Sequence, residues 1–256
     1  FSILPPPAPE SKEFDRWFKK SKAVDLNGDP DRFYHATHAV NDFDTFDTTR
    51  GEMGSHFGTI AQASSFVTAS RSKARILPVY LSIQNPIRLI DKGAFGVEDV
   101  ATQLFYEDIM PEADYNEAIR LFYDDYTDPR EATKWMQGWL KQQGFDGIVY
   151  LNRREGGDYT DSFTAADLNE MSDYEFQREF PEARDSWIIF EPSQVKSAIS
   201  NSGAYDPEAG SMSAHRAPTA PTWGAPDIKN PKFEAVVHAL QDKHVDTKKV
   251  TAAINA

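Results

Sequence analysis

Apolar residues recur along the chain with two periods, and the change from one to the other outlines its elements. Phe14, Trp17 and Phe18 stand three and four apart, the spacing of one helix face, with Ser11 placed to cap it. Asn27-Gly28 and Asp29-Pro30 mark a turn, after which Arg32 to Thr37 (RFYHAT) predicts a first strand. Gly51 to Gly58 reads as a glycine-bearing loop leading into a helix over Thr59 to Ser70, capped by Thr59. Ile76 to Ile83 (ILPVYLSI) predicts a second strand, continued beyond Pro86 by Ile87 to Ile90. Between 97 and 143 the pattern turns helical, with Val100, Leu104, Ile119, Trp135 and Trp139 among its apolar positions, and predicts two or three helices. Gly144 ends the last of them, and Phe145 to Leu151 (FDGIVYL) predicts a strand. Ser186 to Phe190 (SWIIF) is a short buried strand stopped by Pro192, and Ser193 to Ile199 continues as a turn and strand or helix start.

The segments between these elements set the organisation. The first ten residues are Pro-rich; residues 158–184 are acidic, with a short helical possibility near Asp167 to Phe180, and read as a surface excursion. Gly, Pro, Ser and Ala without periodicity after residue 202 read as a linker, and Phe233, Val236, Val237 and Leu240 then form an apolar stripe on a helix. Four parts result: an N-terminal extension and helix (1–30), a main domain (31–206) carrying a helical insert (97–143) and the acidic excursion (158–184), a linker (207–231), and a helical tail (232–256). The Phe1 start and the tail's unpaired stripe suggest a piece of a longer parent chain.

Composition narrows the chemistry. The 256 residues suffice for one well-buried domain with attachments, monomeric as an excised piece. Forty acidic against 27 basic residues give a formal charge of −13, which argues against a nucleic-acid partner and for a protein or small-molecule one. The absence of cysteine removes disulfides, thiolate nucleophiles and cysteine-bound zinc. No His-x-x-x-His or calcium-loop spacing suggests a metal, and no apolar run approaches the roughly 20 residues needed to span a bilayer, so a soluble domain is expected.

Taken singly, no motif decides a reaction. His35 at a strand end reads as a structural histidine, Glu155 in Arg-Arg-Glu-Gly-Gly as a solvated loop charge, and Gly54 to Gly58 lacks both phosphate-loop and dinucleotide spacing. Their order says more. Tyr34-His35-Ala36-Thr37 resembles the Tyr-His-Gly-Thr strand of the diphtheria-toxin and poly-ADP-ribose-polymerase branch of ADP-ribosyltransferases, with Ala36 in the Gly place. Met53 to Ser65 (MGSHFGTIAQASS) resembles that branch's second element, and Asp146-Gly147-Ile148 with Ser186 to Val195 its closing strands. The fullest resemblance, from about Phe14 to Asp206, is to the ADP-ribosyltransferase domains of phage and mobile-element polyvalent proteins.

This resemblance implies an α+β fold of two small, mainly antiparallel sheets around an NAD cleft, with helices outside. It implies NAD as co-substrate and mono-ADP-ribosyl transfer, a glycosyltransferase reaction, to a macromolecular acceptor, expected to be a host protein. Breaking the bond to nicotinamide passes through an oxocarbenium-like ribose, so the site must grip the carboxamide, stack the ring and place negative charge near the sugar. By resemblance His35 meets the adenosine ribose, the Ala36 backbone the nicotinamide amide, and Thr37 supports that contact. His56 takes the place of the family's first Tyr, Phe57 and Phe66 are the candidates for ring stacking, and Gly58, Thr59 and Asn152 complete the nucleotide-binding set. Ser186 stands where the polymerase branch has its Glu, so the catalytic carboxylate is assigned to Glu155, with Asp185 as runner-up. Arg153 and Arg154 are candidates for the pyrophosphate.

Two other readings compete. One is a catalytically silent module of the same fold in a phage virion or effector protein; the other, ranked last, is a nuclease or glycohydrolase using His35 and His56 as acid and base. The setting implied by the leading reading is a phage virion or the bacterial cytoplasm, with delivery into a host cell as for a toxin.

Overall fold

The computed structural model describes residues 9–39, 42–50, 52–68, 74–157, 159, 163–201, 203 and 205–213. Its first helix, α1 (Lys12–Phe18), begins as the sequence predicts, with Ser11 Oγ accepting the Phe14 amide at 3.0 Å. Seven strands follow: β1 (Phe33–Thr37), β2 (Ser55–Phe57), β3 (Arg75–Leu81), β4 (Pro86–Arg88), β5 (Gly147–Leu151), β6 (Asp185–Ile189) and β7 (Val195–Ser197). Six more helices punctuate them: α2 (Ile60–Thr68), α3 (Val97–Tyr106), α4 (Glu112–Tyr123), α5 (Pro129–Gln142), α6 (Ala165–Glu170) and α7 (Asp173–Glu179).

The strands form two sheets, β1-β3-β7 and β2-β6-β5-β4, antiparallel throughout except for the parallel pair β4 and β5. This is the α+β architecture expected. Side-chain alternation explains the layering. Val149, Trp187, Ile189 and Phe57 of the larger sheet meet Phe33, Val79, Leu81 and Val195 of the smaller one in a shared core. The neighbouring residues Ile148, Tyr150, Ile188 and Phe190 face the other way and are covered by α3, α4 and α5. On the outer face of the smaller sheet, Tyr80 meets Phe14, Trp17 and Phe18 of α1.

Three expectations change. Ser55–Phe57, read as loop, is a strand, held by antiparallel pairing with Trp187–Ile189 that a three-residue segment cannot announce by alternation. The acidic excursion holds a small core of its own, Leu168, Phe176 and Ala183 packed with Tyr159 and Leu151, and both of its helices start with capping boxes, Thr164 with Asp167 and Ser172 with Glu175. Residues 207–213, expected as the start of a linker, pack on the domain: Met212 joins the core between the sheets, and buried Lys196 donates to the carbonyls of Ala209 and Ser211. The rest of the expected linker and the helical tail lie outside the described residues.

Candidate active site

The two sheets are joined at one corner, where Tyr34 and Gly58 exchange backbone hydrogen bonds of 2.8 and 3.0 Å. Beyond this junction they diverge and leave a cleft of about 880 Å³. The end of β1, the loop after it, β2, the start of α2 and the ends of β5 and β6 form its walls.

The junction dictates what β1 offers. Backbone groups of an antiparallel strand point alternately to its two edges, so Ala36, two residues past Tyr34, turns its N–H and C=O to the edge that faces the cleft. The β3 register agrees, since Pro78, which has no N–H to give, sits opposite Tyr34, where none is required. Thr37 Oγ1, at the strand end, accepts the Ala39 amide at 3.2 Å.

Burial holds both cleft histidines neutral by lowering their pKa values. His35 Nδ1 lies 2.7 Å from the His56 carbonyl. A carbonyl only accepts, so Nδ1 carries the hydrogen and Nε2 is left as an acceptor. Phe46 and Phe57 pack on the ring at centroid distances of 4.9 and 5.3 Å. His56 Nε2 donates to the Glu52 carbonyl at 3.0 Å, and its Nδ1 accepts from the Tyr150 hydroxyl, also at 3.0 Å. Burial raises the Tyr150 pKa, so the phenol keeps its proton for that bond. With both His56 nitrogens engaged and protonation of either ring disfavoured, the pair is poorly built for acid and base work, which counts against the nuclease reading.

Glu155 reaches the cleft from the loop after β5 and is partly buried. Asn152 Nδ2 donates to its Oε2 at 2.6 Å. Gly156 at φ 94° lets this loop fold onto α2, where its amide meets Ser65 Oγ at 3.2 Å. Phe66, 49% exposed, stands at the mouth, whereas Phe57 is 1% exposed and supports His35 from beneath.

Several other residues singled out from the sequence lie elsewhere. Arg153 is fully buried and turned into the excursion, where it donates to the Leu168 and Met171 carbonyls and to Asp173 and lies over the Phe176 ring. Arg154 donates to Asn169 Oδ1, is flanked by Gly93 and does not line the cleft. Asp185 is gripped by both terminal nitrogens of Arg88, at 3.1 and 2.6 Å, outside the cleft lining. Thr59 caps α2 instead of facing the cleft: its Oγ1 accepts the Gln62 amide, and its own amide donates to Gln62 Oε1.

Sequence reasoning missed three contributors. Gln62 is visible afterwards as the third residue past a Thr cap, and Tyr150 as the one side chain with a polar tip in the buried β5 run. Arg50, the one Lys or Arg among the described lining residues, sits in a loop without periodicity and carries no sequence signal.

Among the described residues no group of three or more His, Asp or Glu is placed to hold a metal, and no helix is long and apolar enough to cross a membrane. No curated protein and no solved structure matches the chain. A family model, ADP-ribosyltransferase in polyvalent proteins, matches residues 25–205, the stretch that supplies both sheets and every wall of the cleft. By that match the chain belongs to the ADP-ribosyltransferases of polyvalent proteins.

Proposed function

We propose that this domain cleaves NAD at the nicotinamide–ribose bond and transfers ADP-ribose to a protein acceptor, with Glu155 as the catalytic carboxylate. The observation that carries the reading is the convergence of Glu155, the outward edge of Ala36 and the His35 imidazole on one cleft.

The residues present fit the dinucleotide. The volume of about 880 Å³ falls in the range of small-molecule sites. The Ala36 N–H and C=O match the donor and acceptor of a carboxamide, and the free Nε2 of His35 matches a ribose hydroxyl. Phe66 offers a ring face at the mouth, and Arg50, the one Lys or Arg among the described lining residues, supplies the cation for a pyrophosphate. When bound, NAD supplies an activated glycosidic bond whose electron pair leaves with nicotinamide. Glu155 then has two tasks: its negative charge opposes the positive charge that develops on the ribose, and it takes the proton from the acceptor nucleophile. Tyr150 and His56 line the cleft beside it as a neutral, hydrogen-bonded wall.

A protein acceptor fits the surroundings better than nucleic acid. Among the described residues Asp42, Asp47 and Glu52 join Glu155 in the lining against one cation, Arg50, in a chain of net charge −13.

The test is nicotinamide release and labelling of bacterial lysate proteins from labelled NAD. Glu155→Gln should lower turnover by about 10²-fold or more, as expected for a lost electrostatic contact to the reacting centre, while Asp185→Asn should leave it near wild type. Loss of turnover in Asp185→Asn alone would move the role to that residue. Binding of NAD without turnover by the wild-type chain would make the domain a silent binding module.

A further inference from the structure

We infer that Asn152 is the positioning residue for the Glu155 carboxylate and that Ser186 in turn fixes Asn152; the inference rests on the role proposed above for Glu155.

Asn152 is 2% exposed and begins the loop that carries Glu155. Its carboxamide makes four hydrogen bonds, divided by atom. Oδ1 accepts the backbone amides of Arg154 and Glu155 at 3.0 and 2.8 Å. Nδ2 donates to Glu155 Oε2 at 2.6 Å and to Ser186 Oγ at 3.0 Å. The partners determine which way the amide faces, because backbone N–H groups only donate and a carboxylate oxygen only accepts.

The two ends of this side chain therefore do different things. The oxygen end shapes the turn, a task an aspartate also performs. The nitrogen end restrains the carboxylate, which an aspartate would repel. Because the restraint comes from a neutral amide, it holds the Glu155 side chain in one orientation and leaves its negative charge uncancelled, as an arginine would not. Among the described residues Glu155 is held through Oε2, which leaves Oε1 for the cleft.

Ser186 completes the arrangement from the neighbouring strand. It stands opposite Tyr150 in the β5–β6 register and is 3% exposed. Its hydroxyl accepts from Asn152 and donates to Gln62 Oε1 at 3.3 Å. Gln62 cannot drift, since its Nε2 is tied to the Arg184 carbonyl at 2.9 Å and its Oε1 to the Thr59 amide at 2.6 Å. A relay of three buried polar side chains, Gln62 of α2, Ser186 of β6 and Asn152 after β5, thus ends on one oxygen of Glu155. An exposed loop carboxylate would need none of them.

Nicotinamide release by the full chain, measured across NAD concentrations, separates this role from a merely structural one. Asn152→Asp retains the acceptor for the two backbone amides, so the turn should be kept, at some cost in melting temperature from the two adjacent carboxylates. Its kcat should nevertheless fall by about 10²-fold, the scale of a misplacement near 1 Å, with KM for NAD within about threefold of wild type. Ser186→Ala leaves the Asn152–Glu155 bond but frees its support, and should lower kcat by about tenfold with the same unchanged KM; it carries the test if the aspartate variant does not fold. Wild-type kcat in the folded variants overturns the inference, and so does a raised KM without loss of kcat, which would make Asn152 a nucleotide contact. Turnover that survives Glu155→Gln overturns the underlying role of Glu155 and this inference together. Turnover lost in Glu155→Gln but intact in Asn152→Asp overturns this inference alone.

Discussion

Gly58 and Gln62 meet so closely that a Cβ at position 58 would stand 2.3 Å from Gln62 Oε1 and 2.9 Å from Ser186 Oγ. Neither neighbour can step aside cheaply, because Gln62 holds the Thr59 amide and the Arg184 carbonyl and Ser186 holds Asn152. Gly58→Ala should therefore cost about 1–3 kcal/mol, as overpacking does in a well-filled site. Its effect on nicotinamide release should exceed what the lost stability explains. A melting curve and a turnover assay on the same preparation decide it; wild-type values in both would mean that the polar cluster is softer than its geometry implies.

The sequence disclosed some of this arrangement and hid the rest for physical reasons. Helix α1 was legible because Phe14, Trp17 and Phe18 mark one face, and β5 and β6 because their runs are buried on both sides, between the sheets and under the helical insert. Strand β2 was hidden because its three residues owe their conformation to pairing with β6, which is more than a hundred residues away. The destination of Arg153 was hidden for a similar reason: nothing in Asn-Arg-Arg-Glu tells whether a neighbouring arginine turns toward a ligand or toward carbonyls that only tertiary folding assembles. That His35, Ala36 and Glu155 share one cleft was anticipated from order and resemblance, whereas the Gln62–Ser186–Asn152 support was not, since it joins three separated segments through single atoms.

The histidines make a pH prediction with a definite sign. Burial lowers both pKa values from 6.5 in the folded chain, so the folded state takes up these protons only at lower pH than the unfolded state does. Above pH 6.5 both states are neutral at these sites and their contribution to stability is whole. As pH falls below 6.5 the unfolded chain binds protons first, and stability is lost until the lowered folded pKa values are reached. The loss is at most about 1.4 kcal/mol per pH unit per group. Melting temperatures between pH 7 and 5 should fall less steeply in a His35→Gln, His56→Gln double variant than in wild type. Equal slopes would assign the acid sensitivity to carboxylates instead.

Arg50 should matter for binding and not for folding. It is exposed, and it is the one Lys or Arg among the described lining residues. Arg50→Ala should raise KM for NAD by about tenfold with kcat little changed, the pattern of an interaction made equally in ground and transition states. Added salt should narrow the difference between the two proteins, since an exposed charge contact is screened. An unchanged KM would remove Arg50 from the site.

Arg153 is the reverse case, a residue expected to matter for folding and not for binding. Its guanidinium is fully buried, and replacing it with methionine would strand the carbonyls of Leu168 and Met171 and leave Asp173 with Arg88 as its remaining cation. Removing one member of a buried pair costs about 3–5 kcal/mol, and the 27% exposure of the Asp173 side chain puts the expected loss at the lower end. The loss should be local. Arg153 holds the excursion to the β5 loop through its side chain, whereas its backbone amide bonds Asp91 at 2.8 Å whatever side chain it carries. Hydrogen exchange in Arg153→Met should therefore quicken over α6 and α7 while β5 and β6 stay protected, and KM for NAD should remain within about twofold of wild type, because no uniform binding contact has been removed. A large rise in KM with protection unchanged would restore Arg153 to the pyrophosphate role that its place beside Glu155 suggests.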